Sequence, residues 1–410
     1  MKVVGIITEY NPFHHGHHFQ LQAAKQETNA DVLVVLMSGN VVQRGEFSIL
    51  DKWQRSQLAI RYGADLVLEL PLLASLQSAD YFAKMGVELL AKVGCDTLVF
   101  GTETATQQQL QAHVDWLEAN ESSLQHTIQT ILKQGFSYAA AMQMAIDQLR
   151  NLENNEFNQN DFSPMSPNHL LGIQYLKANK ALDHPMDSLT LTRIQSVDEV
   201  GKAICFDTKP SEIKSGSQIR QLWRQGALTS ESVPSGTFEQ LNSGQSVEWE
   251  DYWLLLKYRL TSHRPESLRN IFGIKEGLEY LLLKNLIRAT DFKSYRQSLI
   301  SKRWTMASVQ RILMAILLDI QKQEWEIYRN DFSDSPLLRI LGYNQFGRLL
   351  LKDLKKKPDI ELFSNYTQKY KSRYDLMLRA DQILAINPRV TISEQNFSRY
   401  PEQHGSTDKI

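Results

Sequence analysis

The stretch Val3–Gln26, "VVGIITEYNPFHHGHHFQLQAAKQ", decides the fold. Val3 to Ile7 is a short apolar, β-branched run, which reads as a buried strand, and "HFQLQAAKQ" carries helical spacing. Between them lies a loop with Glu9, Pro12 and four histidines, His14, His15, His17 and His18, around Gly16. The same alternation continues downstream. Strands are predicted at Asp31 to Met37, Leu66 to Leu70, Thr97 to Phe100 and Ser188 to Thr192. The amphipathic segments "DKWQRSQLAIRYG" and "DYFAKMGVELLAKVG" fall between them and close at Gly63 and Gly94, as helices ending on a C-cap glycine do. The pattern predicts an α/β fold, a doubly wound parallel sheet whose ligands lie at the carboxyl ends of the strands.

At 410 residues the chain has material for two or three domains, and its 42% apolar and 22% charged residues are ordinary for a soluble globular protein. Cys95 and Cys205 are the two cysteines, too few for a disulfide framework or a cysteine zinc motif, and they fit a reducing cytoplasm. The N-terminal apolar run is interrupted by Glu9, Pro12 and the histidines, unlike a signal peptide. Ile312 to Leu318 is too short to cross a bilayer, so no membrane partner is expected. A formal net charge of −1 gives no global pull on nucleic acid, which leaves any polyanion site to local patches.

The texture predicts a first domain over 1–225. Residues 226–250, within "GALTSESVPSGTFEQLNSGQSVEWED", lack a period and read as a linker or insert. The helical periodicity of "WLLLKYRL", "EGLEYLLLKNLIRA" and "SVQRILMAILLDIQ" predicts an all-α domain over 251–385. Residues 386–410 read as a polar tail.

Three chemistries compete for the histidine cluster. In a helix opening near Pro12, His14, His17 and His18 share one face, a possible zinc arrangement, but no Asp or Glu lies within the cluster to complete it. Solvated surface histidine leaves the glycine unexplained. A phosphate grip uses every feature: the strand–loop–helix junction aims free N–H groups and a positive dipole end at an anion, Gly16 admits a close approach, and His14 and His17 can donate hydrogen bonds as charge builds on an α-phosphate.

The string "NPFHHGHHFQL" holds H-x-G-H after a strand and resembles the signature of the nucleotidyltransferase superfamily, which adenylylates carboxylates or phosphates. The resemblance extends further. "GIITEYNPFHHGHHFQLQAAK", "MSGNVVQRGEFSILDKWQRSQLAIRYGADLVLELP", "QSADYFAKMGVELLAKVGCDTLVFGTE", "SPNHLLGIQYLKA" and "SKRWTMASVQRIL" together, in order, are similar to the tRNA-Met cytidine acetate ligase family. That resemblance implies a nucleotidyltransferase-like Rossmann domain with a helical tRNA-binding domain. The implied enzyme forms acetyl-adenylate from ATP and acetate and acetylates the wobble cytidine of elongator tRNA-Met to N4-acetylcytidine. Triphosphate chemistry adds Mg2+ to this expectation.

Carried over residue by residue, the family's first ATP-contacting segment falls on Ile7, Thr8, Glu9, Tyr10, Asn11, Pro12, Phe13, His14, His15, Gly16, His17, His18, Phe19 and Gln20. Its other contacts fall on Gly101, Asn168, Arg193 and Ile194. The structural alternatives are a turn glycine at 101, an N-cap at Asn168 and a salt bridge at Arg193. "IKSGSQIRQLW" resembles the superfamily's second motif, with Ser215, Ser217 and Arg220 as phosphate carriers, although relatives favour alanine and threonine where this chain has Gly216 and Ser217. Gln43 and Arg44, after the second strand, are further substrate contacts or an ordinary polar loop. Lys302, Arg303, Arg311, Lys355, Lys356 and Lys357 are candidates for the tRNA backbone, with solvated helix faces as the alternative. Ser308 stands where relatives usually carry arginine.

Two other functions fit parts of the sequence. An adenylyltransferase for a small phosphate or carboxylate uses the same nucleotide site without needing a basic helical domain. A tRNA-binding protein with a degenerate nucleotide site has no reason to keep the spacing of His14, Gly16 and His17.

Overall fold

The computed structural model describes residues 1–152, 164, 166–192, 213–390, 392 and 394–404. The strands are β1 (Val3–Thr8), β2 (Val32–Ser38), β3 (Val41–Val42), β4 (Glu46–Phe47), β5 (Leu66–Leu70), β6 (Thr97–Thr102), β7 (Asp187–Thr192), β8 (Leu337–Asn344), β9 (Glu361–Phe363) and β10 (Glu402–His404). The main sheet runs in the order β10-β8-β5-β2-β1-β6-β7, with β9 on β8, while β3 and β4 form a separate hairpin. Each strand predicted in the first half is present, with ends within two residues of those expected and Leu66–Leu70 unchanged.

Every residue of β1, β2 and β5 is buried, as expected for strands covered on both faces and written as continuous apolar runs. Val3 and Ile7 face one layer with Phe82 and Val87 of the helix Ala79–Val93, and Val4 and Ile6 face the other with Leu21 and Ala24 of the helix His15–Thr28. Gly94 ends the helix Ala79–Val93 in the left-handed region at φ +90°, the cap that its glycine predicts. The chain winds from β1 through β2 to β5 on one side and through β6 to β7 on the other. The strand order therefore reverses at β1 and β6, and their carboxyl ends form the crevice where such sheets bind ligands.

The second half departs from its predicted organisation. The segment 251–385 is largely helical, but β8 lies within it and pairs antiparallel with β5 of the Rossmann sheet. The expected linker is packed: the helix Ser235–Asn242 lies within it, and Val233, Thr237, Leu241 and Trp249 are buried. The expected tail is also tied down through residue 404, because β10 pairs with β8 and the Gln395 and Asn396 side chains are buried. Among the described residues, no helix is long and apolar enough to cross a membrane.

A buried ionic knot joins these parts. Lys52 Nζ lies 2.8 Å from Glu69 Oε1 and 2.6 Å from Asp381 Oδ2, with no exposed side-chain surface, and the Tyr374 hydroxyl donates to Glu69 at 2.6 Å. Asn40 and Asn396 donate to the same Asp381 carboxylate. These charges are thus neutralised across the junction of the sheet and the C-terminal segment.

Candidate active site

A cleft of about 710 Å3 opens at the carboxyl ends of β1 and β6. Its lining brings together Ile7, Thr8, Glu9, Tyr10, Asn11, His14, Gly16, His17, Phe19 and Gln20 with Gly101, Asn168, Ser215, Ser217 and Arg220. Gln43 and Arg44, at the tip of the β3–β4 hairpin, also line it. Pro12, Phe13, His15 and His18 are not part of the lining. Phe13 is a core residue stacked on Tyr62, and His18 bonds Gln22 at 2.7 Å with its pKa lowered by burial and by His15. Arg193 and Ile194 lie outside the described residues.

His14 is the N-cap of the helix His15–Thr28, and His17 is its third residue. The two imidazoles stack with centroids 3.6 Å apart, and Tyr10 meets the other side of His17 edge-on at 4.7 Å. The His14 N–H donates to His17 Nδ1 at 3.3 Å. With Nδ1 accepting, a neutral His17 carries its proton on Nε2 and presents a donor there. Gly16 is what lets His14 fold over the helix start: a Cβ on it would lie 3.0 Å from His14 Cε1.

A second helix, Gly216–Arg224, points its N-terminus at the same cleft. Ser215 caps it, accepting from Gln218 N at 3.3 Å and donating to Gln218 Oε1 at 2.9 Å. Arg220 donates to the Asn11 carbonyl at 2.5 Å, approaches Glu46 at 3.6 Å and reaches Ser217 Oγ at 3.4 Å. Burial lowers its pKa, Glu46 opposes this, and Arg224 and Arg44 add to it, as expected where several cations are gathered. A Cβ on Gly216 would stand 2.9 Å from the Asn11 carbonyl oxygen, so the glycine here permits the two loops to touch. Two helix N-termini and Arg220 thus converge on one opening, an anion site by geometry.

Two residues absent from the sequence prediction hold this frame. Glu103 accepts from Asn168 N at 2.9 Å, Asn168 Nδ2 at 2.6 Å, His169 N at 2.9 Å and Ser166 Oγ at 3.1 Å, capping the helix Pro167–Lys180. Against the pull of burial, the Asn168 donors hold its carboxyl below the ordinary range. Asn168 is therefore at the helix start without being the cap, and its side-chain amide donates to Glu103. Glu103 ends the block "QSADYFAKMGVELLAKVGCDTLVFGTE", and a carboxylate one step past the strand end was its signal. Arg55, fully buried, donates to the carbonyls of Leu50 (3.0 Å), Glu9 (2.6 Å), Ser38 (3.0 Å) and Gly39 (2.5 Å). It clamps the ends of β1 and β2, and nothing in its helical spacing announced that.

Glu9 accepts the Gln43 N–H at 2.5 Å. Burial raises its pKa, the Gln43 N–H opposes this, and Glu46 raises it further.

The basic candidates separate into three places. Lys302 and Arg303 are exposed, and Lys302 lies over the Phe136 ring at 5.6 Å beside the exposed Tyr138, whose charged neighbour Asp80 adjoins the cleft residue Ala79. Arg311 is turned inward, 3.5 Å from the Gln43 carbonyl, with its pKa lowered by burial. Lys355 and Lys356 are exposed, Lys356 pairs with Asp353 at 2.9 Å, and Lys357 donates to the Lys92 carbonyl beside Gly94. Gly94 leads into the amino end of β6, so this lysine run sits at the edge of the sheet opposite the cleft. Ser308 is in the first turn of the helix Met306–Leu317, its N–H capped by Thr305 at 3.3 Å.

Residues 1–399 match the family model described as HIGH Nucleotidyl Transferase. The chain is 36% identical to the tRNA(Met) cytidine acetate ligase of Latilactobacillus sakei, over 98% of this chain and 97% of the relative. It is 30% identical to the protein of that name from Bacillus subtilis, over 94% and 92%. The Thermotoga maritima TmcAL structure bound with alpha-thio ATP superposes with a TM-score of 0.86 at 25% identity, over 99% of this chain and 100% of that one. By the length and continuity of these matches, the chain belongs to the HIGH nucleotidyl transferase family, in its tRNA(Met) cytidine acetate ligase branch.

Proposed function

We propose that this protein is a cytoplasmic, ATP-dependent ligase that joins acetate to the wobble cytidine of elongator tRNA-Met through acetyl-adenylate. The observation that carries the reading is the stacked His14–His17 pair at a helix N-terminus, facing Arg220 and a second helix N-terminus across one cleft. ATP lies with its α-phosphate over His14 and His17 and its β and γ phosphates toward Ser217 and Arg220. Gly101 and Asn168 take the nucleoside end, with Arg193 and Ile194 as the family's further contacts. An acetate oxygen attacks the α-phosphorus, and pyrophosphate leaves as the bond to its bridging oxygen breaks. The His17 Nε2–H donates to the phosphoryl oxygens as their charge grows, in a site whose donors are fixed beforehand. A Mg2+ ion bound with ATP would neutralise charge on the triphosphate, and Glu46, which now pairs with Arg220 at 3.6 Å and accepts from Asn11 at 3.2 Å, is the cleft carboxylate that would hold it.

The transfer step needs an anticodon-loop base splayed into the cleft, and exposed cations with an exposed aromatic suit such a partner. Lys302 and Arg303 beside Tyr138 supply both at the rim. The test of the first half-reaction is acetate-dependent exchange of pyrophosphate into ATP. His14→Ala or His17→Ala is expected to slow it by about 10²-fold or more, the effect of losing a fixed transition-state donor. Exchange at the wild-type rate in both variants contradicts their assignment.

A further inference from the structure

One end of the cleft is apolar except for the Tyr175 hydroxyl and the neighbouring Glu9 carboxyl. Ile7, Phe82 and Phe100 are buried there, and half-buried Leu171 completes the wall where the helices Ala79–Val93 and Pro167–Lys180 cover β1 and β6. Tyr175 follows Leu171 by four residues on the same helix face and also lines the cleft, its ring 5.6 Å from that of Phe100. It is only 3% exposed, and among the described residues its hydroxyl has no hydrogen-bond partner. Tyr252, Tyr295 and Tyr374, equally buried, each donate to a carbonyl or carboxylate. A buried donor left unpaired costs stability, so its retention at a cleft calls for a ligand. Burial pushes the Tyr175 phenol far above its ordinary range and Glu9 pushes it further, which keeps it a neutral donor.

We propose that Tyr175, with Ile7, Phe82, Phe100 and Leu171, forms the subsite for a short aliphatic carboxylate, acetate in size. The assignment rests on the ligase reading above. The methyl group lies against the apolar wall, and one carboxylate oxygen accepts the Tyr175 hydroxyl. The other oxygen attacks the α-phosphorus of ATP: a C–O–P linkage forms, the bond from that phosphorus to the bridging oxygen breaks, and pyrophosphate leaves with the electron pair. A neutral donor suits this step, because a cation would form an ion pair with the attacking group and blunt it. Glu9 lies near Tyr175, and its own carboxyl is held above the ordinary range by burial, which lessens its repulsion of a bound carboxylate.

The experiment is pyrophosphate exchange into ATP with acetate or propionate varied. Tyr175→Phe is expected to raise the KM for acetate about tenfold, shift the KM for ATP by no more than about twofold, and melt no lower than the wild type, since it removes only an unpaired hydroxyl. Leu171→Ala, which lengthens the pocket, is expected to raise the propionate-to-acetate ratio of kcat/KM about tenfold. A wild-type KM for acetate in Tyr175→Phe overturns the assignment, as does an unchanged propionate ratio in Leu171→Ala. Wild-type protein that exchanges with no short carboxylate overturns the ligase reading itself, a separate outcome.

Discussion

Of the four histidines around Gly16, two face the cleft as a stacked pair and His18 is bonded to Gln22 behind it. H-x-G-H spacing made His14 and His17 legible in the sequence, because one turn of helix brings an N-cap and the third helical residue together. Arg55 and Tyr175 were not legible, because a buried arginine and a buried tyrosine look in sequence like members of an amphipathic helix. Glu9 lies between these cases: it was quoted with the motif, but its raised pKa is a consequence of burial beside Glu46. Its carboxyl binds a proton more tightly folded than unfolded, so the fold loses stability as pH rises from about 4.5, the ordinary value, through the raised one. Glu9→Gln keeps an acceptor for the Gln43 N–H and removes that loss. Its unfolding midpoint is expected to exceed the wild-type value at neutral pH, with the gap closing as the pH falls below 4.5. A gap that widens in acid contradicts this account of Glu9.

Among the elements, the β3–β4 hairpin shows how the second half of the chain shapes the first half's site. Its tip carries Gln43 and Arg44 into the cleft, and Gly45 turns it at φ +75° against the backbone of Arg311. A Cβ on Gly45 would fall 2.4 Å from Arg311 N, and the Trp249 indole donates to the Gly45 carbonyl at 2.9 Å. Gly45→Ala is therefore expected to cost about 2 kcal/mol or more in denaturant unfolding, from left-handed strain and a backbone clash together. A variant as stable as the wild type would show that the hairpin does not rest on this helix. The parallel strands were legible because runs such as "VLVVLMS" are buried on both faces. β8 was not, because Leu337, Leu338, Ile340 and Leu341 satisfy helical spacing as well as a buried strand. The packed segments 226–250 and 386–404 escaped notice for another reason: their polar residues bond inward, as Gln395 does to Asp51 at 3.0 Å, and composition cannot distinguish that from solvation.

Across the whole molecule, the buried knot of Lys52, Glu69, Tyr374 and Asp381 makes the C-terminal segment part of the sheet's support, so the helix Lys371–Leu384 is fixed against β5 and the helix Lys52–Arg61. That seating decides which basic patch meets tRNA in the proposed reaction. Lys302 and Arg303 neighbour Tyr138 and, through it, Asp80 next to the cleft residue Ala79, whereas Lys357 reaches the Lys92 carbonyl at the opposite edge of the sheet. Alanine at Lys302 and Arg303 together is expected to weaken tRNA binding about tenfold at low salt, with a shallower salt dependence, while alanine at Lys355 to Lys357 has a smaller effect. A filter-binding titration over a range of salt checks the order, and the reverse order would move the tRNA to the other edge. The central claim is tested by incubating the protein with ATP, isotopically labelled acetate and tRNA-Met, then digesting the RNA to nucleosides for mass spectrometry. The account predicts N4-acetylcytidine carrying the label, dependent on ATP and lost in His17→Ala; unlabelled tRNA, or acetylation that requires acetyl-coenzyme A in place of acetate and ATP, would contradict it.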